Sequence, residues 1–189
     1  MGLLSPLLSG NDDAGVPDEQ IDAGESNFDR RFSTSAGVAM TSGYLRGGFF
    51  TATRSETITK VAIWSGNTAA GATPTLVRVG IWEATRAGAV GNLVASIAND
   101  TSLLAATNTE YERALSAAWS KVAGTRYFAG LLVVTSAAAP TTTGTGVSVQ
   151  NGIPANAPRL AGVATGQTDL VSNPSTGSST VAPYIEMRR

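Results

Sequence analysis

Glu110 and Glu112 are the two side chains in this sequence whose spacing comes nearest to a catalytic pair. Two residues apart on a strand, they share one face with Cα atoms about 6.6 Å apart. Inverting glycosidases hold their acid and base at about 6.5–9.5 Å. Arg113 follows directly, and a solvated strand face has the same composition, so a structural role for the pair is preferred over a catalytic one. The other routes to chemistry are narrower. The 189 residues include no Cys and no His, which removes cysteine nucleophiles, zinc-thiolate sites, Ser-His-Asp triads and the usual general base. Neither lysine, Lys60 or Lys121, lies in a Ser-x-x-Lys motif. Asn99-Asp100-Thr101 could lend oxygens to calcium, but with no acidic cluster beside it the run reads as a turn cap. The Gly-rich stretches contain no Gly-x-x-x-x-Gly-Lys-Ser/Thr. No catalytic residue, cofactor or metal is expected.

Recognition is the remaining chemistry. Trp64 and Trp82 each stand near a strand end, on the parity opposite a run of Val and Ile and alongside Lys60 and Arg78. If the Val/Ile faces form the core, both tryptophans and Arg78 lie on or near the outer surface. Such rings serve subunit contacts or stack on sugars. The basic residues never run beyond two in a row, so nucleic acid is not an expected partner.

The elements that must position these residues are strands. Ala, Thr, Gly and Ser make up nearly half the chain, and charged residues only 14%, a composition of short strands and many turns. From Thr57 to Ser65, Val61 and Ile63 face one way and Lys60, Ala62 and Trp64 the other. From Thr75 to Glu83, Val77, Val79 and Ile81 alternate with Arg78, Gly80 and Trp82. Further strands are expected at 44–53, 93–98, 110–115 and 181–188. The run 126–135 is the most apolar and lacks clean alternation, which places it centrally. Ala114 to Val122 reads as a strand edge or loop. Residues 136–180 are Thr/Ser/Gly/Pro-rich, with apolar islands at Val147–Val149 and Leu160–Val163, and should carry one or two short strands. The fold class is all-β: an antiparallel β-sandwich, jelly-roll-like, over residues 33–189, with Val77, Val79, Ile81, Leu131 and Val133 in its core. No apolar run reaches the ~18 residues of a membrane span.

Residues 1–32 differ from the rest. Residues 1–29 hold seven of the fourteen acidic residues and no Lys or Arg; all thirteen basic residues follow from Arg30. Gly10, Gly15, Pro17 and Gly24 interrupt any period. The segment reads as an extended acidic arm with a reach of roughly 100 Å. Its apolar residues are Leu3, Leu4, Leu7 and Leu8 near the tip and Phe28 and Phe32 at the base. These are the expected partner-binding anchors. Four buried leucines would return about 6–12 kcal/mol, enough to hold the tip on a partner. An acidic arm and a basic body in one chain also favour contacts between copies, so a homo-oligomer is expected.

The runs Val61-Ala62-Ile63-Trp64-Ser65-Gly66, Val77-Arg78-Val79-Gly80-Ile81-Trp82, Leu93 to Thr101, Ala105 to Tyr111 and Ala123 to Gly130 resemble β-sandwich domains of structural proteins from phages of actinobacteria. The resemblance covers about residues 50–135. It implies a virion location, a non-enzymatic role as a minor tail or accessory protein, and partners among the other phage structural proteins, of tail or capsid. It carries over no functional residue and does not extend to the arm. Capsid decoration is the alternative placement, and a host-surface glycan a further ligand. From other classes, a glycan-processing enzyme built on Glu110 and Glu112, or a carbohydrate-binding module, stays open.

Overall fold

The computed structural model describes residues 25–137, 139–146 and 158–189. The leucine pairs at Leu3, Leu4, Leu7 and Leu8 and the island Val147–Val149 lie outside the described residues. The strands are β1 (Glu25–Ser26), β2 (Thr34–Ala39), β3 (Tyr44–Thr51), β4 (Glu56–Trp64), β5 (Pro74–Ala84), β6 (Val90–Ser96), β7 (Glu110–Lys121), β8 (Arg126–Thr135), β9 (Thr141–Gly146), β10 (Ala161–Ala164), β11 (Gly177–Ser178), β12 (Val181–Pro183) and β13 (Ile185–Arg188). The one 3-10 turn among the described residues, Arg30–Phe32, is capped by the Asp29 carboxylate, which accepts from Arg31 N. The protein is all-β, with every strand pairing antiparallel.

Two sheets face each other. One has the order β1-β13-β4-β7, the other β11-β10-β3-β8-β5-β6; a third, β12-β9-β2, closes one side. The alternating apolar residues read from the sequence fill the space between them. Val77, Val79 and Ile81 from β5 and Leu131 and Val133 from β8 meet Ile58, Val61 and Ile63 from β4 and Ile185 and Met187 from β13. Ile58 and Val61 share the inner face although three residues apart, because the pairing is irregular between Ile58 and Lys60, where two steps along β4 stand against five along β7. β8 lies between β3 and β5 and is buried on both faces, as its unbroken apolar run requires.

The second buried face corrects one expectation. Trp82 is fully buried, not at the surface. It joins Leu45, Phe49, Phe128, Leu132 and Leu170 in a separate cluster on the far side of the six-stranded sheet. The segment after β10 straps across that side. Trp82 Nε1 donates to Val171 O at 2.8 Å, Asn173 N to Gly91 O at 2.7 Å, and Arg78 Nη1 to Asp169 at 2.7 Å. Arg78 is accordingly only partly exposed. The strap carries few apolar residues beyond Leu170 and Val171, so its sequence reads as loop.

Two boundaries also move. β7 runs on through Lys121, turning Ala114–Lys121 into strand; Leu115 and Trp119 enter the core. The body begins before Ser33: Glu25 and Ser26 pair with Met187 and Glu186 on β13. The base of the expected arm is therefore part of the sandwich. The Thr/Ser-rich region does carry short strands, β9, β10 and β11.

Candidate functional site

Register places three rows of side chains on the outer face of the four-stranded sheet. Ser26 pairs with Glu186, Ile63 with Ile185 and Trp64 with Glu110. Phe28, Tyr184, Trp64 and Glu110 thus form one row, and Glu186, Ala62 and Glu112 the next. Arg188 and Lys60 head the third. The Phe28 and Tyr184 rings stand 5.3 Å apart, edge to face, and Tyr184 and Trp64 5.2 Å apart. The Arg188 guanidinium lies 5.5 Å above the Trp64 ring.

Arg188 also settles the two glutamates. It bonds Glu110 at 2.5 Å, Glu112 at 2.8 Å and Glu186 at 2.8 Å, while Lys60 reaches Glu112 at 2.8 Å. Hydrogen bonds from Lys60 and Arg188 hold the Glu112 carboxyl below its usual range. A carboxyl held ionised in this way is a poor proton donor near neutral pH. Tyr184 is opposite in sense: burial, then the Glu186 charge, pushes its phenol up to about 12. Asp100 is likewise committed, to Ser102 N at 2.9 Å and Arg113 Nε at 2.6 Å, and Asn99 Oδ1 accepts from Val77 N at 2.9 Å. That run is a turn cap, as its sequence reads.

A buried ionic cluster lies where the chain enters the sheet. Lys121, fully buried, pairs with Glu25 and, at 2.8 Å, with Glu56. Glu25 Oε1 also accepts from Thr53 N at 2.7 Å, and Arg189 Nε donates to Glu56 at 2.8 Å. Asn27 follows, with Nδ2 donating to Pro183 O at 2.8 Å and Oδ1 accepting from Ile185 N at 3.0 Å. Asn27 N also donates to Ile185 O at 3.1 Å, so main chain and side-chain amide together extend the ladder. The root of the acidic segment is thus bolted to three strands.

Beside this root is an apolar groove of 340 Å³ lined by Phe28, Phe32, Phe49, Leu160 and Ala182 among others, at the low end of ligand-sized clefts. Phe32 is 67% exposed and Leu160 55%. Arg126 lies 5.5 Å over the Phe49 ring and donates to Arg159 O.

Of the residues singled out by sequence, Phe28, Phe32 and Trp64 come together along this edge. Trp82 and Arg78 belong to the covered face of the other sheet, Trp82 fully buried and Arg78 partly exposed beneath the strap. Tyr184, Arg188, Lys121 and Arg126 went unmarked. Tyr184-Glu186-Arg188 alternating with Ile185 and Met187 was a readable signal for the first two. Nothing local distinguishes Lys121 from a solvated strand end. No helix among the described residues is long and apolar enough to cross a membrane. No known family model matches the sequence, and no curated protein is significantly similar to it.

Proposed function

We propose that this chain is a non-enzymatic structural component of a bacteriophage virion: a minor tail protein or other accessory protein displayed on the particle, docked through its acidic N-terminal segment. The observation that carries the reading is the root of that segment. The buried charges of Glu25, Lys121 and Glu56 fasten it to the sheet instead of lining a cleft. A segment mounted on a rigid body by buried ion pairs and strand pairing transmits force, as a docking element must. The resemblance of residues 50–135 to phage β-sandwich domains supplies the setting. The commitment of Glu110 and Glu112 to Arg188 argues against the glycosidase reading.

The test is quantitative proteomics of purified particles, wild type and with Leu3, Leu4, Leu7 and Leu8 changed together to Ser. Wild-type protein is expected in the particle and the variant depleted from it. A few copies per particle assign the tail; lattice-scale copy numbers assign a capsid decoration role. Absence of the wild-type protein from particles overturns the reading.

A further inference from the structure

We infer that the groove beside Phe28 and Phe32 receives the leucine-bearing acidic arm of a second copy of this chain. The inference deepens the docking role proposed above and rests on it. Three observations select this occupant.

The first is chemical fit. The groove floor is apolar and open at Phe32 and Leu160. At its edge Arg126 stands over the Phe49 ring and donates to the Arg159 carbonyl. Its Nε is buried without a partner among the described residues. Burial pushes the Arg126 guanidinium below its ordinary value, and neighbouring Arg86 adds repulsion. The groove therefore wants apolar side chains carried by an acidic chain. Residues 1–24 supply both, with four leucines near the tip and Asp12, Asp13, Asp18, Glu19 and Asp22 behind them.

The second is direction. β1 is antiparallel to β13, with Glu25 opposite Met187 and Ser26 opposite Glu186. Glu25 thus stands at the Met187 end of the pairing, whereas Asn27 and Phe28, further along the chain, lead to the groove.

The third is reach. Leu8 lies seventeen residues before Glu25, about 60 Å of extended chain. A body of this size is about 40 Å across, so the segment is long enough to reach a neighbour's groove. Exchange of this kind is head-to-tail and closes into a ring or continues as a chain.

The experiment is complementation between two full-length variants. One carries Leu3, Leu4, Leu7 and Leu8→Ser and keeps its groove. The other carries Phe32→Glu and Leu160→Glu and keeps its arm. Both groove positions are exposed, so these changes leave the core intact. Sedimentation of the wild type is expected to give twice the monomer mass or more, falling toward monomer at high salt. Each variant alone is expected to lose the larger species, and a mixture of the two to regain a one-to-one dimer. A monomeric wild type, including one whose own arm fills its groove, overturns the inference. So does association that either variant retains, which would place the interface elsewhere or put residues 147–157 in the groove. If arm variants fail to enter particles while the wild type stays monomeric, this inference falls and the docking role stands.

Discussion

At the residue scale, the charges with the largest consequences are those the fold has removed from water. Lys121 is fully buried between Glu25 and Glu56. Lys121→Met preserves most of its volume but takes the Lys121 ammonium from the buried Glu25 carboxylate and leaves Glu56 with Arg189 and Arg54 alone. A loss of about 3–5 kcal/mol is expected in urea unfolding, and adding Glu25→Gln should recover part of it. Carboxylates also set the acid limit. Burial pushes the Glu56 carboxyl up, but hydrogen bonds from Lys121 and Arg189 outweigh it and hold the group below its ordinary 4.5. Hydrogen bonds from Lys60 and Arg188 do the same for Glu112. A folded-state value below the unfolded one stabilises fully above the unfolded value and is lost as pH falls through the folded one. The urea midpoint should therefore hold from neutrality to about pH 5 and decline below it. Glu112→Gln should flatten part of that decline. A midpoint unchanged down to about pH 3 would show that these pairs contribute nothing to stability. Tyr184 acts at the other end. Its phenol is raised to about 12, so the stability it confers is present below the unfolded value near 10 and lost as pH rises toward 12. Spectrophotometric titration should resolve an ionisation near pH 12 that Tyr184→Phe removes.

At the element scale, β5 carries two cores on its two faces. Val77, Val79 and Ile81 serve the space between the sheets; Trp82 serves the cluster beneath the strap. Val79→Asp should abolish folding, because it puts an unpaired carboxylate into the main core. Alternation alone would make Arg78→Asp harmless, since its side chain leaves that core. Arg78 instead ties the strap down through Asp169 at 2.7 Å and holds Ile97 O at 3.1 Å. Reversing its charge should cost about 1–3 kcal/mol and loosen the strap, seen as faster amide exchange at Val171 and Asn173. Gly80 between them is required by proximity: a Cβ there would lie 2.5 Å from the Trp82 ring. Gly80→Val should therefore displace Trp82 and change its fluorescence while leaving the Val79 face packed.

At the scale of the whole molecule, the question is where the arm ends and the body begins. Glu25, Ser26 and Asn27 are buried and bonded to β13, Lys121 and Pro183. A chain lacking residues 1–24 keeps every one of these contacts. A chain lacking residues 1–32 takes one of its two carboxylates from Lys121 and opens the edge of β13. The longer truncation should melt about 10 °C below the shorter. Equal melting temperatures would mean the β1 pairing contributes nothing to the fold.

The all-β class, the central place of β8 and the Val77-Val79-Ile81 core were legible because period-two alternation and strand-to-strand contact are written along a single element. The contrast between the acidic residues 1–29 and the basic remainder was legible because charge is a sum over residues. What the sequence left open were the contacts made by residues far apart in the chain. Trp82 reads as exposed until a strap some ninety residues later covers it. Glu110 and Glu112 read as a pair until Arg188, next to last in the chain, closes on both. Lys121 reads as part of a strand edge or loop until Glu25, ninety-six residues earlier in the chain, pairs with it. Local pattern decides which face a side chain takes; only the tertiary structure decides what stands opposite that face, because burial and pairing depend on which distant segment the sheets bring there.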